Sequence, residues 1–147
     1  MEIILDFDGT VVEHNYPKMG RCNFGCFEVL KKLQDAGHKI ILNTYRADCN
    51  NGTLEQALKL LNEQYWMMLK DRSMREDFEM KPITEFYKSK VDPHPFDWEA
   101  IKRDNRIFID DIAYNIPLKK ACMVQSDMVD WDELDKQFEE NGMYEKL

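Results

Sequence analysis

Two aspartates one residue apart, Asp6 and Asp8, follow an apolar run in "IILDFDGTVV", with Gly9 and Thr10 directly behind them. A second acidic pair, Asp110 and Asp111, ends another apolar run in "RIFIDD". Thr44 ends "KIILNT", and Lys88 and Lys90 end "ITEFYKSK". Carboxylates that close to the edge of a core are costly unless something cationic stands among them. Magnesium takes oxygen ligands in an octahedron, usually one or two carboxylates with waters and a substrate phosphate. Such an ion would turn the mutual repulsion of Asp6, Asp8, Asp110 and Asp111 into binding energy.

These residues need elements that bring them together. Glu2–Phe7 reads as a strand of mostly Ile and Leu with little polar alternation, which suits burial on both faces of a parallel sheet. "FGCFEVLKKLQDAGHK" places Phe27, Val29, Leu30 and Leu33 at helical spacing and closes at Gly37. "KIILNT" is a second buried strand, and Thr53 is the expected N-cap of a helix carrying Leu54, Ala57, Leu58 and Leu61. "ITEFYKSK" is expected as a third strand, "PFDWEAIKRDN" as a short helix, "RIFIDD" as a fourth strand and "ACMVQS" as a last short one. "DWDELDKQFEENG" ends the pattern as a helix with acids in its first turn and Gly142 after it. Strands alternating with helices predict one α/β domain over residues 1–147, with a doubly wound, mainly parallel sheet and helices on both faces. Ligands of such sheets gather beyond the carboxyl ends of the strands, where Asp6, Asp8, Thr44, Lys90, Asp110 and Asp111 all fall.

Composition narrows the classes. Twenty basic against twenty-eight acidic residues leave a net charge of −8, which weighs against a large nucleic-acid surface. No run approaches the ~20 apolar residues of a membrane span, and no leader-like segment opens the sequence, so a cytoplasmic protein without a membrane partner is expected. Cys22, Cys26, Cys49 and Cys122 are too few and scattered for a disulfide scaffold, and read as reduced thiols. Trp66, Met67, Met68, Trp98 and Trp131 read as core packing.

The four segments together resemble the haloacid dehalogenase superfamily. "LDFDGTVV" is similar to its first motif, Asp-x-Asp-Gly-Thr after a strand, and "IILNT" to its second, which ends in Ser or Thr. "SKVDPHPF" resembles its third, a lysine at the start of a helix, and "IFIDD" its fourth, an acidic pair. The resemblance implies a phosphohydrolase in which Asp6 attacks phosphorus and forms an aspartyl-phosphate. Asp8 would protonate the leaving oxygen and then activate water, while its backbone carbonyl contributes to the magnesium site. Thr44 would hold a phosphoryl oxygen and Lys90 would neutralise phosphate and nucleophile, with Lys88 and Lys102 as alternative lysines. Asp111 would be the direct metal ligand, with Asp110 acting through water or on the lysine. The chemistry itself asks for the division between Asp6 and Asp8, since one carboxylate must be ionised to attack while its neighbour carries a proton. Gly9 and Thr10 suit a tight departure from the strand that turns backbone N–H groups toward the phosphate.

Only residues 13–37 separate the first two strands, leaving a flap at about 13–23 and no room for the cap domain that many relatives carry. An open, capless site would accept a phosphorylated substrate with a bulky end, a nucleotide or nucleic-acid terminus included, or be closed by a neighbouring subunit of a homo-oligomer. Arg46, two residues past Thr44, is placed to clamp a second anionic group. His14 and Tyr16 lie on the flap, and the charged 67–82 segment reads as a solvated face. Alternatives to hydrolysis are phosphotransfer to another acceptor, a catalytically inactive phospho-ligand module, and a receiver-like signalling domain. A receiver carries its phosphorylated aspartate after the third strand, whereas here the acid beside Gly-Thr follows the first.

Overall fold

Three short strands share one pattern of burial, polar at the first residue and buried at the next three. They are β1 (Glu2–Leu5), β2 (Lys39–Leu42) and β3 (Arg106–Ile109). In the computed structural model, which describes residues 1–122 and 124–146, they pair in parallel in the order β2-β1-β3. Leu5 stands opposite Leu42 on one side and Ile109 on the other, so all three carboxyl ends finish level. The chain is therefore α/β, with a parallel sheet smaller than the doubly wound one expected from the sequence.

Helix α1 (Cys26–Asp35) connects β1 to β2 and buries Phe27, Val29, Leu30 and Leu33. Short helices α2 (Arg46–Cys49) and α3 (Thr53–Lys59) follow β2. The expected cap is shifted by one residue. Gly52 occupies the cap position at φ 86°, and Thr53 is already helical, its hydroxyl donating to Asn51 Oδ1 at 2.6 Å. The helix then loosens into a π turn at Leu60–Gln64 and a 3-10 turn at Tyr65–Met68. Met68 is buried there, but Trp66 and Met67 face outward, against the expectation of core packing. Helix α4 (Trp98–Asp104) precedes β3. An antiparallel hairpin of β4 (Leu118–Lys120) and β5 (Asp127–Val129) leads into α5 (Trp131–Glu140), capped by Asp130 through Glu133 N at 3.1 Å. No helix among the described residues is long and apolar enough to cross a membrane.

Two expected strands are corrected. "ITEFYKSK" pairs with β2 only at Phe86, where Leu42 N donates to Glu85 O and Tyr87 N donates to Leu42 O, both at 3.0 Å. On either side of that bridge, asparagine amides take the place of a neighbouring strand. Asn62 bonds both backbone groups of Ile83, and Asn43 bonds both of Val91, at 2.7–3.0 Å. Backbone groups satisfied in this way have no need of a ladder. The last strand lies not in "ACMVQS", of which Met123 is outside the described residues, but at β5. Burial of Met128 and Val129, with Val129 N donating to Gly9 O at 3.0 Å, fixes it there.

Candidate metal and phosphate site

β1 sits between strands reached by opposite routes. The chain goes first to β2 on one side and returns to β3 on the other, which opens a crevice beyond the strand ends at the switch point. Asn43 N donates to Leu5 O at 2.7 Å and Asp6 N to Ile109 O at 2.9 Å, so the sheet holds Asp6 at the floor of that crevice. The loop after it is tightly made. Thr10 and Val11 N–H groups turn back to Phe7 O, and Thr10 Oγ1 donates to Asp6 Oδ2 at 3.0 Å. Asn23 Nδ2 and Trp131 Nε1 both donate to Thr10 O at 2.8 Å, so α5 and the flap anchor the same turn. Gly9 adopts φ 83°, a conformation that disfavours any side chain. A Cβ there would collide with His14 Nε2 and come within 2.6 Å of Asp111 Oδ2.

At the end of β3, Asp110 Oδ1 accepts from Ile112 N at 3.1 Å. Carboxylate oxygens of Asp6, Asp110 and Asp111 lie within 4.8 Å of one another. Lys90 Nζ stands 3.1 Å from both Asp6 Oδ1 and Asp110 Oδ2, so Lys90, not Lys88 or Lys102, reaches the cluster. Its own position is set by Asp48 of α2, which accepts from Lys90 N at 2.9 Å and from the Ser89 hydroxyl at 2.6 Å. Asp111 Oδ2 is 2.6 Å from His14 Nε2 on the flap. Thr44 is buried at the end of β2 and lines the same cleft, about 280 Å³ in volume, as Asp6, Asp8, Lys90 and Asp111.

The electrostatics follow from this crowding. Burial pushes Asp6 well above the usual carboxylate range, Asp110 and Asp111 push it further, and Lys90 opposes them. Burial likewise raises Asp110, despite Lys90 and the Ile112 N–H. For Asp111 burial also acts upward, but hydrogen bonds with His14 and Asp6 prevail and hold it low. The contact with Asp111 raises His14 against its own desolvation. Burial acts to lower Lys90, yet Asp6 and Asp110 outweigh it and raise the ammonium.

The donor set fits a hard divalent cation. It is made of carboxylate oxygens, and among the described residues buried Asp110 Oδ2 has the Lys90 ion pair at 3.1 Å but no donor at hydrogen-bonding geometry. Asp8 stands outside this cluster. Its two oxygens accept from Arg46 Nη2 at 2.7 Å and Nε at 2.8 Å. Arg46 is fully buried, with Nη2 also donating to Lys18 O at 3.0 Å and the guanidinium lying over Phe7 and Tyr16 at 5.0 and 5.4 Å. In this structure its planar fork is occupied by Asp8, where the sequence places a second anionic group.

The roles of Asp48 and His14, and the pairing of Arg46 with Asp8, are the contributions that the sequence left unassigned. Each acts by a partner 38 to 97 positions away, so no local spacing marks it. The nearest available clue was the placement of Arg46 and Asp48 just beyond the Thr44 strand end. Comparison of the chain with family models, curated proteins and solved structures finds no match.

Proposed function

We propose that the protein is a magnesium-dependent phosphohydrolase, a capless relative of the haloacid dehalogenase superfamily, acting through Asp6. The observation that carries this reading is the convergence on Asp6 of the Lys90 ammonium at 3.1 Å and of the Asp110 and Asp111 carboxylates. In this reading the order β2-β1-β3, extended at Phe86, is the inner part of a doubly wound sheet with the nucleophile on its central strand.

Asp6, Asp110 and Asp111 would hold the magnesium ion, with Asp8 contributing its backbone carbonyl. The bound ion supplies charge neutralisation, allowing Asp6 to remain ionised and the phosphate to approach it. An Asp6 carboxylate oxygen attacks phosphorus in line, and the phosphorus–oxygen bond to the leaving group breaks. Lys90 and the Thr44 hydroxyl bind phosphoryl oxygens as the charge shifts. The leaving oxygen takes a proton from the Asp8 carboxyl. Water then attacks the phosphoryl group, gives a proton to Asp8, and releases inorganic phosphate and the Asp6 carboxylate. With both oxygens on Arg46, Asp8 is set for the second step. The first requires its carboxyl to turn off the guanidinium.

Initial rates on a panel of phosphate monoesters, with magnesium and with chelator, test the proposal. Turnover is expected with magnesium, lost on chelation and reduced at least about a thousandfold in Asp6→Asn. Equal rates for the wild type and Asp6→Asn would remove the nucleophile from the account.

A further inference from the structure

The cleft above Asp6 has an uneven lining. Its floor is charged, but its mouth is formed by Tyr16, Tyr45 and Ile112, which are 37%, 61% and 65% exposed. Large apolar side chains left open beside a polar site mark the part of a ligand that is not the reacting group. The two tyrosine rings meet edge to face, with centroids 6.0 Å apart and planes at 73°, and so make a corner. Tyr16 is held in that corner from behind. Arg46 lies 5.4 Å from its ring centre, and Asn51 Nδ2 donates to its hydroxyl at 3.0 Å. Tyr45 caps α2, its carbonyl accepting from Asp48 N at 2.9 Å, so its backbone is fixed while its ring, packed on Tyr16, stays 61% exposed.

The charges set a second limit. Among the described residues that line this cleft, Lys90 and His14 are those able to carry positive charge. His14 is committed to Asp111, and the Arg46 guanidinium is turned onto Asp8. Lys90, which faces Asp6 at the reacting position, is thus the cationic side chain for one phosphoryl group beside the metal. Among the described residues lining the cleft, no other cationic side chain is placed for a second phosphate.

We propose that the cleft takes a monoester with a single phosphoryl group whose leaving group carries a flat, uncharged ring, packed in the Tyr16–Tyr45 corner. Nucleoside 5′-monophosphates and simple aryl phosphates share that chemistry. Open-chain or sugar phosphates, and nucleoside diphosphates, lack one half of it. The inference rests on the phosphohydrolase reading for the phosphate and on the tyrosine corner for the ring.

The test uses both turnover and binding, with magnesium present. Adenosine 5′-monophosphate, phenyl phosphate, ribose 5-phosphate and adenosine 5′-diphosphate are compared by kcat/KM on the wild type. The same four are compared by calorimetric Kd on Asp6→Asn, which is expected to bind without turnover. The two ring-bearing monoesters are expected to exceed ribose 5-phosphate by about tenfold or more in both measures, consistent with the usual strength of ring stacking. Phenyl phosphate preferred without the nucleotide assigns the corner to aryl esters, and the reverse assigns it to nucleosides. Tyr45→Ala is expected to bring the ratio toward one through KM, while Tyr45→Phe keeps it. A ratio near one in the wild type, a ratio unchanged in Tyr45→Ala, or a diphosphate bound as tightly as the monophosphate would overturn the inference. Absence of turnover with the Kd ratio preserved would instead overturn the hydrolytic reading and leave the ring site standing.

Discussion

Asp8 and Arg46 illustrate how little room single residues have in this crevice. The guanidinium is fully buried and the carboxylate nearly so, so removing either leaves an uncompensated charge. Arg46→Met is expected to cost about 3–5 kcal/mol and to lower Tm by about 10 °C. The double variant with Asp8→Asn should lose less than the sum of the two singles, as measured by denaturant unfolding, because the orphaned charge is gone. Additive losses would mean that the pair contributes nothing as a pair. Gly9→Ala belongs to the same scale. Its Cβ would press on His14 and Asp111, so loss of magnesium-dependent activity is expected together with lower stability. The residues placed beforehand at the site that the structure gathers there were those read from strand ends, namely Asp6, Thr44, Asp110 and Asp111, together with Lys90. Arg46 was noticed as an anion clamp but not as the partner of Asp8, since the flap that brings Lys18 and Tyr16 around it leaves no periodic trace in the sequence.

At the scale of elements, β1, β2 and β3 could be read because each is a short run buried on both faces. The helices α1, α4 and α5 were legible for the opposite reason, one apolar stripe with recognisable ends. The segment around Phe86 was misread because Asn43 and Asn62, far away in sequence, satisfy its backbone. The β4–β5 hairpin offered only three residues per strand, with Leu118 exposed. Helix α5 also reaches into the site through Trp131, whose indole N–H holds Thr10 O. Trp131→Phe keeps most of the packing and removes that donor. It should cost about 1–2 kcal/mol and reduce kcat more than it changes KM, as the turn bearing Thr10 loosens behind Asp6. Unchanged kcat at reduced stability would confine Trp131 to packing.

For the molecule as a whole, the acidic cluster is a source of instability without a cation. Burial and mutual repulsion raise Asp6 and Asp110 above the ordinary carboxylate range, so the folded state holds protons that the unfolded chain releases. Their contribution is present in full below about pH 3.8 and is lost as pH rises through the folded values. In chelator, the cluster should therefore destabilise the protein progressively across that range. Magnesium added at pH 7 is expected to raise Tm, and the gain should shrink on acidification as protons compete for the carboxylates. Asp110→Asn should raise Tm in chelator and abolish the gain from magnesium. A variant that gains stability from magnesium as the wild type does would place the ion elsewhere.

The central claim is that Asp6 becomes covalently phosphorylated, and the direct measurement is mass spectrometry of acid-quenched protein during turnover. A phosphoryl group is expected on the peptide containing Asp6, removed by hydroxylamine, absent in Asp6→Asn and accumulating in Asp8→Asn, where its hydrolysis is slowed. Steady turnover with Asp6 never modified, under conditions where Asp8→Asn also shows no adduct, would contradict the account.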